Sequence, residues 1–400
     1  MIKCVHPWIH QVVTTDDKTM PCCMAHFNHD RIWKHEDYKL GLYNPARVKM
    51  REQMRKGEWP DICKISKDAE DANLVSYRMI QHQKFPLVNN IDYNQENGLT
   101  LKYLDIKYTN KCNLACRMCK PTDSSLLAEE FLYSKEWPKF MGNQSDSVKH
   151  YELIDWNKQA RDKVEYTKQL VKNGLIYYKV TGGEPMACKY FMECIDWIIE
   201  NDYAKNMVLF FTTNGIKFNK KLMNKFIKFK QINFTVSIDG TEKIYDYIRY
   251  HGSWDKIQKS MDLVQSYKDR YPEKFTAITA SCILQFYNLF NIAELADWIS
   301  QYDIMFTVDS SIKPDDNELN VEFLPPYLLE LAKEQNLPGL LMDIYKIERF
   351  INVLNSKKYN KEKNLQLLET VLLYDKKRNQ NYRDFLHPEQ IKFLDDLRSR

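Results

Sequence analysis

From residue 99 onward the chain alternates short apolar runs with amphipathic ones. LTLKYLDIKYT (99–109), LIYYKVTGGEP (175–185), NMVLFFTTNG (206–215), INFTVSIDG (232–240), FTAITASCILQF (275–286) and DIMFTVDSS (303–311) are rich in β-branched and aromatic residues and run into polar turn residues. That is the pattern of strands bounded by turns. Between them EYTKQLVKN, YFMECIDWIIENDYA, KKLMNKFIKF and NIAELADWIS place apolar residues at helical spacing. Strand and helix in alternation predict βαβ units and a parallel sheet. Six such strands predict an α/β fold built as an incomplete barrel rather than a closed eight-stranded one.

The flanks differ. Residues 1–98 show little strand alternation, and PARVKMREQMRKGEWPD reads as a short basic amphipathic helix ended near Pro60. The polar stretch NNIDYNQENG reads as a linker. Residues 326–400 are charged, Leu-rich and helical in period, with no glycine after Gly339. The expected organisation is therefore an N-terminal unit at 1–98, a core at 99–325 and a helical extension at 326–400. Residues 121–170 form a long insertion between the first two strands of the core, and its YELIDWNKQARDK portion is expected to help cover a substrate.

Polar residues collect where the strands end, in TNKC, TGGEP, TTNG and SIDG. In parallel α/β folds ligands bind at the C-terminal ends of strands, so these motifs are expected to share one cavity. Composition narrows the chemistry only modestly. Net charge is +4 and the isoelectric point about 8.3, too mild for a nucleic-acid binder. No apolar run approaches the ~20 residues of a membrane span, and MIKCVHPWIHQVVTTDDK lacks the apolar stretch of a signal peptide. The expected location is cytoplasmic, the host cytoplasm for a phage-encoded chain. Thiols stay reduced there, so the ten cysteines read as free thiols or metal ligands.

Three of those cysteines, Cys112, Cys116 and Cys119, fall within eight residues of TNKCNLACRMCKPTDSS, directly after the first strand of the core. Structural zinc sites close with four ligands from paired Cys units. Here three are local and no histidine shares the loop. A 4Fe-4S cluster held by three cysteines keeps one iron open for substrate or cofactor.

KCNLACRMC resembles the C-x3-C-x2-C signature of the radical S-adenosylmethionine (SAM) superfamily, TGGEP resembles its glycine-rich turn, and SIDG also looks like family sequence. The resemblance covers roughly residues 99–310 and implies a partial (β/α)6 TIM-like barrel. It implies that Cys112, Cys116 and Cys119 bind three irons of a 4Fe-4S cluster whose fourth iron chelates SAM. Reductive cleavage of SAM would then give a 5′-deoxyadenosyl radical that abstracts hydrogen from a substrate. Gly182 and Gly183 are expected to let backbone approach SAM, with Glu184 either assisting or serving the turn. Thr213, Asn214, Ser237 and Asp239 are candidates for the SAM ribose or carboxylate, or else turn residues. Arg249 is a candidate partner of the carboxylate, or else a surface arginine. Lys120 and Tyr108 flank the loop. Cys188, Cys194 and Cys282 have no partner spacing and read as core thiols.

CVHPWIHQVVTTDDKTMPCC followed by DICKIS resembles the cluster-binding unit of twitch-domain radical SAM proteins of phage and bacteria, and YDKKRNQNYRDFLHPEQ resembles their tail. This implies an auxiliary iron–sulfur cluster on Cys4, Cys22, Cys23 and Cys63. The chain departs from that pattern at Ser66, which stands in place of a thiolate. Cys23, His6 or His26 can complete the site, or three ligands leave one iron open; zinc and unmetallated thiols are the alternatives. The expected partners are a peptide or small-molecule substrate and an electron donor such as flavodoxin or ferredoxin. A metal-stabilised, non-catalytic binding scaffold is the competing reading.

Overall fold

All six expected strands form, and the sheet continues beyond them. The computed structural model describes residues 1–23, 38–84, 91–132, 134, 136–138, 141, 156–309, 317–336 and 350–399. The strands are β1 (His10–Val13), β2 (Thr19–Met20), β3 (Tyr103–Ile106), β4 (Tyr177–Val180), β5 (Val208–Thr213), β6 (Gln231–Ser237), β7 (Ala277–Ile283) and β8 (Met305–Asp309). Their order is β2-β1-β3-β4-β5-β6-β7-β8, an open sheet with β2 and β8 at its ends. β1 runs parallel to β3, with His10 opposite Tyr103, while β2 is antiparallel to β1. The β3–β4, β4–β5, β6–β7 and β7–β8 pairs are parallel.

The N-terminal region therefore adds two strands that its sequence does not announce. HQVV is too short to display alternation, and all four residues are buried. Gln11 is polar yet buried because its side chain is satisfied by Thr19 Oγ1 (3.0 Å), by the Tyr38 carbonyl (2.7 Å) and by the Tyr166 hydroxyl (2.7 Å).

The chain divides into two compact units. The first comprises residues 1–109, 155–211 and 225–232. Its N-terminal core packs Val5, Trp8, Ile9, Val12, Met50, Met54 and Tyr103. The expected basic helix is Pro45–Arg55, started by Pro45 and capped by Asn44, whose Oδ1 accepts from the Ala46 N–H at 3.1 Å. Its buried face carries Arg47, Met50, Arg51 and Met54, so two arginines point into the core. Arg51 is satisfied there: Nη2 meets Glu96 at 2.6 Å, and Nη1 donates to the Pro7 and Leu42 carbonyls at 3.1 and 2.8 Å. Behind the sheet, Tyr108 bonds Thr167 (2.8 Å), Tyr178 (2.7 Å) and Cys194 (3.2 Å), tying β4 to the helices Trp156–Lys172 and Lys189–Glu200. Tyr108 thus serves packing.

The second unit comprises residues 110–154, 212–224 and 233–400. β6 and β7 alternate half-buried and buried positions along their whole length, as expected of strands with one face packed on helices. The C-terminal extension is helical as expected, with Pro326–Asn336, Lys361–Arg378 and Pro388–Arg398. The last is anchored by Phe393 on Phe286, ring centroids 6.1 Å apart. No helix among the described residues is long and apolar enough to cross a membrane.

His10 stacks on Tyr103 with ring centroids 4.0 Å apart, and its Nδ1 lies 2.7 Å from Nδ1 of His6. Burial holds His10 well below the usual histidine range, and the charges of Lys179 and Arg47 add to it, so the ring is neutral.

Two outcomes follow for the first unit. Arg51→Ala leaves the Pro7 and Leu42 carbonyls without their buried donor and lowers stability by about 2 kcal/mol, read as a lower urea midpoint. Arg161→Ala, which breaks an exposed pair with Glu193, leaves that midpoint unchanged. Because His10 stays neutral in the fold and protonates when unfolded, stability falls as pH drops below 6.5, by up to about 1.4 kcal/mol per pH unit. His10→Gln flattens that slope in pH-dependent urea unfolding.

Candidate active site

β3 ends at Ile106, and the cysteine loop begins a few residues later in the second unit. The loop is closed at its base: Asn110 Nδ2 donates to the Pro121 carbonyl (2.9 Å), and the Ser125 N–H donates to the Asn110 carbonyl (2.9 Å). Ser124 caps the helix Ser125–Phe131 by accepting from the Leu127 N–H at 3.2 Å, while its own hydroxyl donates to the Leu114 carbonyl at 2.6 Å. The N–H groups of Ala115 and Arg117 donate to the Tyr250 and Ile248 carbonyls (3.0 and 2.9 Å), so the loop lies along residues 248–250 like a short strand pair.

Arg117, between two of the cysteines, is fully buried. Its guanidinium lies 3.6 Å from the Tyr247 ring centroid and within 5.5 Å of those of Tyr287 and Tyr374. Nη2 pairs with Asp375 at 2.7 Å and with Gln380 Oε1 at 2.8 Å, and Nε donates to the Tyr247 carbonyl at 2.9 Å. Arg378 completes the clamp: Nη2 reaches the Ala115 carbonyl and Glu130, each at 2.8 Å. Asp375 and Arg378 lie on the helix Lys361–Arg378, so the C-terminal extension is part of the site. Sequence reading missed Arg117, Asp375 and Arg378. The signal was present as RMC and YDKKR, but a charged residue in a charged tail reads as solvated.

Cys116 is buried, and Cys112 and Cys119 are half-buried. Burial pushes the thiols of Cys116 and Cys119 up. For Cys119 the neighbouring Cys116, Asp123 and Cys112 push further; for Cys116 the Arg249 guanidinium pulls back. Burial disfavours the thiolates of Cys116 and Cys119 on their own, and a bound cation would favour thiolates across the loop. Among the described residues no three His, Cys, Asp or Glu side chains surround a single metal ion; three thiolates on separate irons of a cluster need no such convergence. The residues present fit a 4Fe-4S cluster with one open iron.

Within the second unit Asn214 and Arg249 reach this loop directly, and Asp239 reaches it through Arg249. Asn214 donates from Nδ2 to Asn113 Oδ1 at 3.1 Å. Thr213 Oγ1 accepts from the Gly215 N–H at 3.0 Å, a turn role. Gly215 has φ +79°, and a Cβ there would meet Val236 Cγ1 at 2.7 Å and Ile257 Cδ1 at 2.5 Å. Ser237 is half-buried at the end of β6. Asp239 is fully buried; Oδ1 accepts from the Ile283 N–H (2.8 Å) and Oδ2 pairs with Arg249 Nη2 (2.6 Å). Burial pushes the Asp239 carboxyl up and Arg249 opposes it. Arg249 is buried, and its Nη1 is 3.9 Å from Cys116 Sγ.

The GGEP turn belongs to the first unit. Gly182 has φ +108°, and a Cβ there would lie 3.2 Å from Lys107 Cβ and 3.3 Å from the Thr109 carbonyl, so only glycine brings the backbone this close. Gly183 is half-buried beside it. Glu184 is buried and accepts from the Met186 N–H at 3.0 Å, a cap on the turn that follows.

The N-terminal cysteines divide. Cys4, Cys22 and Cys63 line one cavity with His6, Ser66, Tyr77 and Arg78. Cys23 is not on that lining; its Sγ sits 3.0 Å from the Tyr77 hydroxyl. Burial pushes Cys4 up to about 11 and Cys63 higher, the latter reinforced by Cys4 and Cys22. His26 lies outside the described residues. Cys188, Cys194 and Cys282 are buried core thiols as expected.

Residues 106–282 match the family model described as the radical SAM superfamily. That stretch, under half of the 400 residues, includes the cysteine loop, the GGEP turn and the Asp239–Arg249 pair. Among curated proteins it is similar to the GTP 3′,8-cyclase of Syntrophomonas wolfei, 25% identical over 172 residues, covering 43% of this chain and 44% of that one. It is also similar to the GTP 3′,8-cyclase of Peptoclostridium acidaminophilum, 24% identical over 233 residues, covering 58% and 57%. The chain thus spans about half the length of these relatives or less. Among solved structures it matches Streptococcus suis SuiB bound to S-adenosylmethionine, with 16% identity, TM-score 0.36 and coverage of 77% of this chain and 64% of that one.

The clamp generates a direct test. Asp375→Asn leaves the Arg117 charge buried and unpaired, so iron is released to a chelator several-fold faster than from the native protein, while Lys377→Ala, on the same helix, changes nothing.

Proposed function

We propose that this chain is a radical SAM enzyme that cleaves S-adenosylmethionine reductively and abstracts hydrogen from a peptide or small-molecule substrate not yet identified. The observation that carries the reading is the three-cysteine loop directly after β3, clamped on one side by residues 248–250 and on the other by Asp375 and Arg378. Cys112, Cys116 and Cys119 would hold three irons. The cluster, when bound, supplies the one-electron cleavage of SAM that yields methionine and a 5′-deoxyadenosyl radical.

The chain's own residues bind, orient and shield. Arg117 and Arg378 fix the loop backbone. Gly182 and Gly183 would, by the resemblance, bond the SAM amino group through their backbone. Asn214 and Ser237 would meet its ribose or carboxylate and Arg249 its carboxylate, while Asp239, engaged by Ile283 and Arg249, would position Arg249. Thr213 and Glu184 support the turns that carry these groups. In the first unit, Cys4, Cys22 and Cys63 would hold an auxiliary iron–sulfur cluster, with Ser66 on the same cavity wall where the resemblance expects a thiolate. Cys23 stands apart from that ligand set. A flavodoxin or ferredoxin in the cytoplasm would supply electrons.

Anaerobic reconstitution followed by iron, sulfide and zinc counts tests the assignment. Replacing Cys112, Cys116 and Cys119 with Ala is expected to remove about four irons and to abolish 5′-deoxyadenosine formation under dithionite. Iron that remains belongs to Cys4, Cys22 and Cys63, and Cys22→Ala removes it whereas Cys23→Ala does not. Zinc without iron in the native chain would leave only the binding scaffold.

A further inference from the structure

We propose that the buried Asp239–Arg249 pair sets the reduction potential of the cluster held by Cys116, with Arg249 raising it and Asp239 lowering it. The inference rests on the radical SAM reading above and concerns residues of the second unit only.

Arg249 ends the helix Glu242–Ile248, and its side chain turns inward rather than to solvent. Its position is fixed from both sides. The Ile248 and Tyr250 carbonyls accept from the Arg117 and Ala115 N–H groups, which places residue 249 alongside Cys116. Asp239, anchored by the Ile283 N–H at 2.8 Å, holds Nη2 at 2.6 Å. Nη1 is left 3.9 Å from Cys116 Sγ, and among the described residues Nε has no hydrogen-bond partner. The other two arginines at the loop are directed elsewhere: Arg117 to Asp375, Gln380 and a carbonyl, Arg378 to Glu130 and a carbonyl.

A cluster that accepts an electron gains one negative charge. A fixed guanidinium beside one of its thiolates stabilises that form, and a fixed carboxylate behind the guanidinium opposes it. Burial weakens solvent screening of both effects. Iron–sulfur potentials respond to net charge, hydrogen bonds to sulfur and exposure, and residues just outside the ligand set are how a protein adjusts them. Arg249 and Asp239 are of opposite sign on one line toward Cys116, so their removal has opposite consequences. A merely structural pair would show the same consequence for both.

The test uses the full-length, anaerobically reconstituted protein and its Arg249→Gln, Arg249→Lys and Asp239→Asn variants. Each is titrated electrochemically while the paramagnetic signal that disappears in Cys112→Ala is followed. Arg249→Gln is expected to lower the reduced fraction at a fixed solution potential about tenfold, a shift of about 59 mV for a one-electron couple. Asp239→Asn shifts it the other way, and Arg249→Lys restores most of the native value. Native-like potentials in Arg249→Gln and Asp239→Asn, or shifts of the same sign in both, overturn the inference while leaving the radical SAM reading intact. If Arg249→Gln fails to retain iron, the direction given by Asp239→Asn decides. Absence of any signal lost in Cys112→Ala overturns the radical SAM reading itself, and the inference with it.

Discussion

The cysteine loop depends on a buried charge. Arg117 carries a full positive charge into a cage of tyrosine rings, and such burial is tolerated only when the charge is paired and hydrogen-bonded. Asp375 provides the pair from 258 residues further along the chain. Asp375 is itself held, with Oδ1 accepting from the Tyr247 hydroxyl at 2.9 Å and Oδ2 from the Tyr382 N–H at 2.6 Å. Loop, helix Lys361–Arg378 and the turn that follows therefore form one network, joined through Arg117 and both oxygens of Asp375. A loop of three thiols would otherwise be free to rearrange around whatever metal it met.

The same device recurs. In the first unit Arg51 joins Glu96 to two carbonyls of distant segments. Lys163, fully buried, joins Asp17 to the Thr14 and Thr15 carbonyls at 2.9 and 3.0 Å. Asp105 on β3 pairs with Lys179 on β4 at 2.8 Å. In the second unit Asp239 and Arg249 do so beside Cys116. Long cationic side chains are used here as interior braces: they reach backbone carbonyls that loops leave unpaired, and a carboxylate neutralises the charge. Their cost is offset only while both partners stay, which makes them fix conformation more than they add stability.

The two adjacent cysteines of PCC illustrate how finely the fold separates like residues. Cys22 faces the cavity shared with Cys4 and Cys63, whereas Cys23 faces the Tyr77 hydroxyl. Ser66 sits on the same cavity wall. The departure from the cysteine pattern therefore falls on this cavity, which three thiols and a hydroxyl line together.

The strands from residue 99 onward were legible because each is a run of β-branched and aromatic residues broken by turn dipeptides, and that periodicity is a local property. The cysteine triad was legible because its ligands lie within one loop. β1 and β2 were not, because HQVV and TM are too short to show a period and become strands only by pairing with a neighbour. The arginines of the basic helix read as a solvated face, yet Arg47 and Arg51 are buried; only the positions of Glu96 and of carbonyls far along the chain decide that. The same holds for Arg117 and for Arg249, which sequence reading set between a carboxylate partner and a surface residue. Local pattern determined the elements and the ligand loop. Tertiary structure alone decided which charges are buried and against what, because pairing a buried charge is a contact between distant segments and leaves no period in the sequence.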